Sequence, residues 1–241
     1  MQRIISFATG NLHRWGNYGD KDHVLRYVKG LGMDGVEMTF ASKDELSSYK
    51  LSKENEKWLR ALPYVTIHYP WAGVNREDMV ELSGLLDKVA ELYDRIGARN
   101  VIIHPRGLPG PEIMGKYQMR FSTENMKKGH NAPIPETKSI LDKHPDMGYC
   151  IDVSHAYTIS KEETGKLAEA FGDRVTQVHL SGTKWGRHHL SMREMSRDFM
   201  RSIRPALEMD VPIVIEEDIG KKSERYLKEE VGFIKKMLRD Y

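Results

Sequence analysis

The stretch YCIDVSHAYT, residues 149–158, reads as a buried strand that stops on two metal-type ligands, Asp152 and His155. Alone, Asp-x-x-His is equally a helix start, with Asp152 as the N-cap and His155 a bystander in the first turn. The choice depends on whether other strands of the chain end in the same way.

Short β-type runs recur along the sequence, each bounded by helical or turn sequence. They are Arg3–Ala8, Asp34–Met38, Tyr64–His68, Asn100–His104, Met119–Glu124, Tyr149–Val153, Arg174–Leu180 and Pro212–Glu216. Most begin roughly 20 to 40 residues after their predecessor, the length that a strand, a helix and two loops need. Helical patterns fill the intervals. HVLRYVKGLGMDG places Val24, Leu25, Val28 and Leu31 on one face and is expected to end at Gly32. DMVELSGLLDKVAELYDRIGARN should stop at Gly97, as a glycine C-cap does. SKEETGKLAEAFG has a capping-box pattern, with Ser160 as the expected N-cap and Glu163 three residues on. RYLKEEVGFIKKMLRDY supplies a closing helix, and the Gly/Pro-rich interval Pro109–Gln118 leaves room only for a short one.

Several strands are apolar on both faces, which suits a parallel sheet covered by helices. Eight such units with right-handed crossovers close most simply into a (β/α)8 barrel, the TIM barrel, of about 250 residues. The expected fold is therefore α/β, one TIM-barrel domain over residues 1–241. The first βα turn lacks GxGxxG, so a dinucleotide site is not indicated.

The composition, 39% hydrophobic and 30% charged in 241 residues, is that of an ordinary soluble domain. No apolar run has the length of a membrane span, and MQRIISFATG lacks a secretory layout. A single cysteine, Cys150, rules out an internal disulfide and fits a reducing cytoplasm. The formal charge of +2, from 37 basic and 35 acidic residues, neither demands nor excludes a polyanionic partner.

Barrel active sites lie where the strands end, because every βα loop emerges on that face. Here His68 and His104 end the third and fourth strands, and Glu124 the fifth. Asp152 ends the sixth, with His155 in the next turn; His179 lies on the seventh and Glu216 ends the eighth. Glu37 stands one residue before the end of the second. Carboxylates crowded together on one rim repel one another, and a cation removes the conflict. Glu124, Asp152, His179 and Glu216 form an O3N set suited to Mn²⁺, Mg²⁺, Co²⁺ or Zn²⁺. Adding His68, His104 and His155 shifts it towards Zn²⁺ or a multinuclear cluster.

The ordered series VTIHYPW, VIIHP, STENM, YCIDVSHA, TQVHLSG, RHHL and IVIEE resembles the xylose isomerase-like barrel superfamily over nearly the whole chain. Its sugar isomerase and epimerase branch implies one divalent metal held by Glu124, Asp152, His179 and Glu216. Glu124 and Glu216 would then take and return a proton through an enediolate. Its endonuclease IV branch (AP endonuclease family 2) implies three zinc ions, with His68, His104, His155 and one of His188 and His189 added, and hydrolysis at abasic DNA. That branch's Asp-x-His pair falls on KWGRHHLSM, where the aspartate position holds Gly186 or Arg187, and a cationic Arg187 would oppose a third ion.

The expectation is a metal-dependent isomerase or epimerase of a small sugar or sugar phosphate, using one to three Zn²⁺, Mn²⁺ or Co²⁺ ions. The alternative is a zinc phosphodiesterase on DNA, and a barrel that binds without catalysis stands third. Trp71, Arg106, Lys184, His188 and His189 are the expected substrate-binding residues.

Overall fold

Eight parallel strands close into a barrel in the computed structural model, which describes residues 3–75, 77–220 and 223–241. They are β1 (Ile5–Ala8), β2 (Gly35–Thr39), β3 (Tyr64–His68), β4 (Asn100–Ile103), β5 (Phe121–Glu124), β6 (Gly148–Asp152), β7 (Val175–Leu180) and β10 (Ile213–Ile215). Between the last two lies an antiparallel hairpin of β8 (Gly182–Lys184) and β9 (Arg187–Leu190). Each barrel strand pairs with its sequence neighbour, and β10 closes the ring between β7 and β1, with Ile213 opposite Ile5 and Val214 opposite His179. Five of the strands (β1, β4, β5, β7 and β10) are one or two residues shorter than the apolar runs suggest. His104 and Glu216 consequently fall just past β4 and β10.

The helices follow the capping chemistry in most places. Helix Met79–Ile96 starts on Asp78, whose carboxylate accepts from the amides of Val80 and Glu81, and ends at Gly97 in the left-handed conformation at φ 64°. Two boundaries differ from expectation. Helix Lys21–Lys29 ends before Gly32, because the chain leaves the helix at Gly30 and needs Gly32 only for a later turn at φ 57°. Ser160 ends helix Val153–Ile159 instead of starting the next one. Its hydroxyl accepts from Glu162 in a local turn, and helix Glu163–Phe171 begins without a side-chain cap. The Gly/Pro-rich interval holds one turn of helix, Pro111–Met114.

The apolar core lies between barrel and helices, where Val36, Ile67, Val101, Ile151 and Val178 of the strands meet Leu25, Leu86, Val89 and Ile234 of the helices. The barrel lumen is polar, contrary to the reading of these strands as apolar on both faces. Near its floor Asn100 donates to Ser122 at 2.9 Å, and the Ser122 and Thr176 hydroxyls bond at 2.9 Å. Above them the Tyr64 hydroxyl donates to Gln177 at 2.9 Å, and Gln177 donates to Glu37 at 2.8 Å. Buried polar groups persist only when partnered, and these partner one another across the lumen. Among the described residues no helix is long and apolar enough to cross a membrane.

Candidate metal centre

Seven side chains from the ends of β3 to β7 and β10 converge above the polar lumen, as the strand-end rule requires. Their possible donor atoms fall into adjoining groups, each with all its atoms within 4.8 Å of one another. His68, His104 and Glu124 form one group, and Glu124, Asp152, His179 and Glu216 a second. His155, His188 and His189 form a third. Glu124 belongs to the first two, and its oxygens are divided between them. Oε1 lies 2.8 Å from His104 Nε2 and 3.4 Å from His68 Nε2, and Oε2 lies 3.2 Å from His179 Nδ1. Glu216 Oε2 is 2.9 Å from the same His179 nitrogen.

The surroundings orient the histidines. His68 Nδ1 bonds the Tyr69 carbonyl at 3.1 Å, His155 Nδ1 the Asn125 carbonyl at 3.1 Å, and His189 Nδ1 the Glu216 carbonyl at 2.9 Å. A carbonyl only accepts, so each of these nitrogens carries a proton and Nε2 is the atom left to meet a cation. His179 is reversed: Nε2 donates to Glu37 Oε2 at 3.3 Å, and Nδ1 faces Glu124 and Glu216. A protein acceptor behind each imidazole is the arrangement that metal-ligating histidines use. Glu37 is therefore a buried support beneath His179 and not a rim ligand. It also accepts from Thr66 and Gln177.

Asp152 fills both roles open to it in the sequence. Oδ1 caps helix Val153–Ile159 by accepting from the His155 amide at 2.7 Å and from the Ser154 hydroxyl at 2.9 Å. Among the described residues Oδ2 is buried with no hydrogen-bond partner, as are Glu124 Oε2, Glu216 Oε2, His179 Nδ1 and His188 Nδ1. Orphaned buried polar atoms are costly. Those of Asp152, Glu124, Glu216 and His179 belong to one donor group, three carboxylate oxygens and an imidazole nitrogen that fit a divalent cation such as Zn²⁺, Mn²⁺ or Co²⁺, and His188 belongs to the third group.

Charge balances within the cluster: Glu124 and Glu216 are held ionised, while carboxylate charge raises His68, His179 and His189 against burial. Burial would raise the Glu124 pKa, but His104, His179 and His68 hold it well below the carboxylate range. Glu216 is likewise held low, against burial, by His179 and His189. Burial lowers the His188 pKa to about 3, with help from His189, His155 and Lys127, so its ring is neutral. His68 moves the other way: the bond and charge of Glu124 outweigh burial and raise it to about 9. Ionised carboxylates and neutral imidazoles are the states that ligate, and a cation at His68 would take the place of its proton.

Glu124, Glu216 and the histidines other than His179 line a cavity of about 420 Å³ together with Trp71, Arg106, Met126, Lys127 and His130. Trp71 stacks on His104 at 5.5 Å between ring centres. Lys127 Nζ lies 3.1 Å from His188 Nε2. Of the expected substrate-binding residues, Trp71, Arg106, His188 and His189 line the cavity. Lys184 does not: it is exposed at the hairpin tip, 4.3 Å over the Trp185 ring. Arg187 is exposed as well and does not line the cavity, whereas both neighbouring histidines do. Asn125, Gln177, Met126 and His130 were not singled out in the sequence. Asn125 locks β5 to β6 by accepting from the Asp152 amide at 2.9 Å and donating to its carbonyl at 2.7 Å. The ENM of STENM was the only signal for it.

No protein-family model matches the chain, and no curated relative matches it in sequence. Solved structures do match. A xylose isomerase domain-containing protein from Salmonella typhimurium superposes with a TM-score of 0.70 at 17% identity, covering 99% of this chain and 98% of that one. The chain shares the fold of that protein, a closed barrel of eight parallel strands. Endonuclease IV from Thermus thermophilus superposes on this barrel at TM-score 0.68 and 19% identity, over 99% and 100% of the two chains. D-Allulose 3-epimerase from Methylomonas sp. does so at 0.69 and 15%, over 97% of each. At these identities the likeness concerns the fold, and the site must be read from its own residues.

One buried acid faces away from the centre. Glu217 follows Glu216, turns beneath helix Glu224–Met237 and meets Glu230, both carboxyls being buried. Burial first, then the charge of Glu230, raises the Glu217 pKa well above the carboxylate range. The folded state thus holds a proton that the unfolded chain releases above about pH 4.5. Stability contributed by this pair falls as pH rises from there through the raised value. Glu230→Gln supplies an amide donor to Glu217 and removes the shared charge. It should raise stability at pH 7–8 by about 1–3 kcal/mol and flatten the decline. Urea unfolding of both proteins between pH 5 and 8 checks this, and equal slopes would contradict it.

Proposed function

We propose that the chain is a divalent-metal-dependent hydrolase of phosphodiesters, of the endonuclease IV kind, acting on a nucleic-acid strand. One observation carries the reading: Glu124 divides its two oxygens between adjoining donor groups, while three histidines complete a third group beside them. A carboxylate held from both sides suits a bridge between cations better than a base that must release and recapture a proton. Hydrolysis of a phosphodiester benefits from several adjacent cations, which polarise the phosphoryl oxygens and acidify water.

The chain's own groups suit such a substrate. Glu124, Asp152, His179 and Glu216 would hold the central cation, with His68 and His104 on one flank and His155, His188 and His189 on the other. Arg106 and Lys127 face the same cavity and offer N–H donors to phosphate oxygens. Trp71, fixed against His104, offers a flat apolar surface to a deoxyribose or a base. Glu37 and Asn125 position His179 and His155 and need not touch the substrate.

A second reading, isomerisation or epimerisation of a small sugar or sugar phosphate, has a specific observation in its favour. Glu124 and Glu216 both approach His179 Nδ1, at 3.2 and 2.9 Å, and the cavity of about 420 Å³ suits a monosaccharide. With one cation, the two carboxylates would exchange a proton at the carbon held between them.

The two readings separate on one set of substrates. Protein loaded with Zn²⁺, Mn²⁺ or Co²⁺ should nick a duplex oligonucleotide on the 5′ side of a single abasic site, and chelation should abolish nicking. Ketoses, aldoses and their phosphates should be returned unchanged. Absence of nicking by folded, zinc-replete protein, with turnover of any sugar, would replace the first reading by the second.

A further inference from the structure

The hairpin Gly182–Leu190 contains both non-glycine residues with positive φ among the described residues, Trp185 at 52° and His189 at 57°. Bulky residues seldom adopt this conformation, and strain of this kind gathers where function over-determines the backbone. For His189 the reason is visible: the twist brings its ring onto the Glu216 carbonyl and into the cavity. Trp185 gains nothing comparable from the fold. It is 88% exposed at the tip, followed by Gly186 at φ 75°, and the described residues give its ring one partner, the Lys184 ammonium. Arg187 is exposed on the other side of the turn. A glycine at position 185 would make the same turn without strain and without an exposed indole.

We propose that this tip is a nucleobase-stacking contact, in which Trp185 takes a base on its face while Lys184 and Arg187 meet the flanking phosphates. The inference rests on the phosphodiester reading and extends it to a named substrate contact outside the cavity. The indole offers an apolar face, and the cations beside it match the repeat of an anionic backbone; exposed aromatic groups interleaved with basic ones are how single strands are held. The spacing also fits. Only Arg187 separates the Trp185–Gly186 turn from His188, so the tip stands on the same short hairpin as two of the donor histidines. A base on Trp185 would belong to the strand whose phosphate lies at the donor groups.

The test is fluorescence anisotropy of zinc-replete protein with a fluorescein-labelled 12-mer single strand and with a duplex carrying one abasic site. Trp185→Ala should weaken binding about tenfold, and Trp185→Phe should retain most of it. Lys184→Ala and Arg187→Ala should each lower the slope of log affinity against log salt by about one. Trp185→Gly separates binding from structure. Relief of the strained φ should raise its melting temperature by about 1–3 °C, while its affinity falls as in the alanine variant. Unchanged affinity in both variants, or no binding of either oligonucleotide by the wild type, overturns the inference. So does a loss of self-association in Trp185→Ala without loss of binding, which would make the tip a protein contact. Turnover of bis(p-nitrophenyl) phosphate by the wild type reports separately on the phosphodiester reading.

Discussion

Glu124→Gln should lower the number of bound cations by at least one and reduce turnover about 10³-fold, a barrier increase of about 4 kcal/mol. Glu124 is 2% exposed and is the one residue shared by the His68–His104 group and the Asp152–His179–Glu216 group. Glutamine keeps the shape and loses the charge. It also replaces one oxygen by an N–H donor, which has no lone pair for a cation and must face either His104 Nε2 or His179 Nδ1. Whichever orientation the amide takes, one group loses a donor, and the histidines there lose the carboxylate that balances bound positive charge. Equilibrium dialysis against Zn²⁺ with metal analysis gives the stoichiometry, and thermal melts show whether the variant is folded. The wild type should gain stability on loading, about 2.7 kcal/mol at a free ion concentration one hundred times Kd, and the variant distinctly less. A variant with the wild-type ion count and activity would show that Glu124 does not bridge. Loss of turnover at unchanged stoichiometry would instead favour Glu124 as a proton-transfer base.

The strand ends were legible in the sequence because each closes an apolar run at βα spacing, so His68, Glu124 and Asp152 fall at the end of their strands without further information. The supports were not legible. The partners that fix the imidazoles are backbone carbonyls of Tyr69, Asn125 and Glu216, which have no residue signature. The lumen bonds join residues as far apart as Tyr64 and Gln177, and a lone polar residue in an apolar strand does not announce its partner. The histidine pair shows the clearest physical reason. In a regular strand consecutive side chains face opposite ways, so one of His188 and His189 should point outward. The positive φ of His189 breaks that alternation and sends both into the cavity. Lys184 lies outside the cavity for a related reason: the turn at Trp185 and Gly186 carries it to the exposed hairpin tip. Ser160 had the right residue for a cap and the right glutamate after it, but the preceding helix ends on it first.

Gly35→Ala should cost about 3 kcal/mol of stability or more, with Gly84→Ala as a control of opposite sign. Gly35 lies in β2 opposite Ser6 of β1 and Tyr64 of β3, at the lower end of the barrel where the strands draw together. A methyl group there would overlap the Tyr64 carbonyl oxygen and the Ser6 hydroxyl. The serine could rotate, but the carbonyl belongs to a strand paired on both edges. Moving it would disturb the ladders from β2 to β4 and, through β3, the end that carries His68. A closed barrel has no free edge to absorb such a shift. Gly84 is exposed in helix Met79–Ile96, and among the described residues nothing lies within 4 Å of an added methyl group, so alanine there should stabilise by about 0.5–1 kcal/mol through its helix propensity. Urea unfolding of the two variants beside the wild type gives both signs in one experiment. If Gly35→Ala were tolerated within about 1 kcal/mol, the lower barrel would have to be looser than close-packed interiors are. The support of His68 from below would then have to come from its bond to Tyr69 alone.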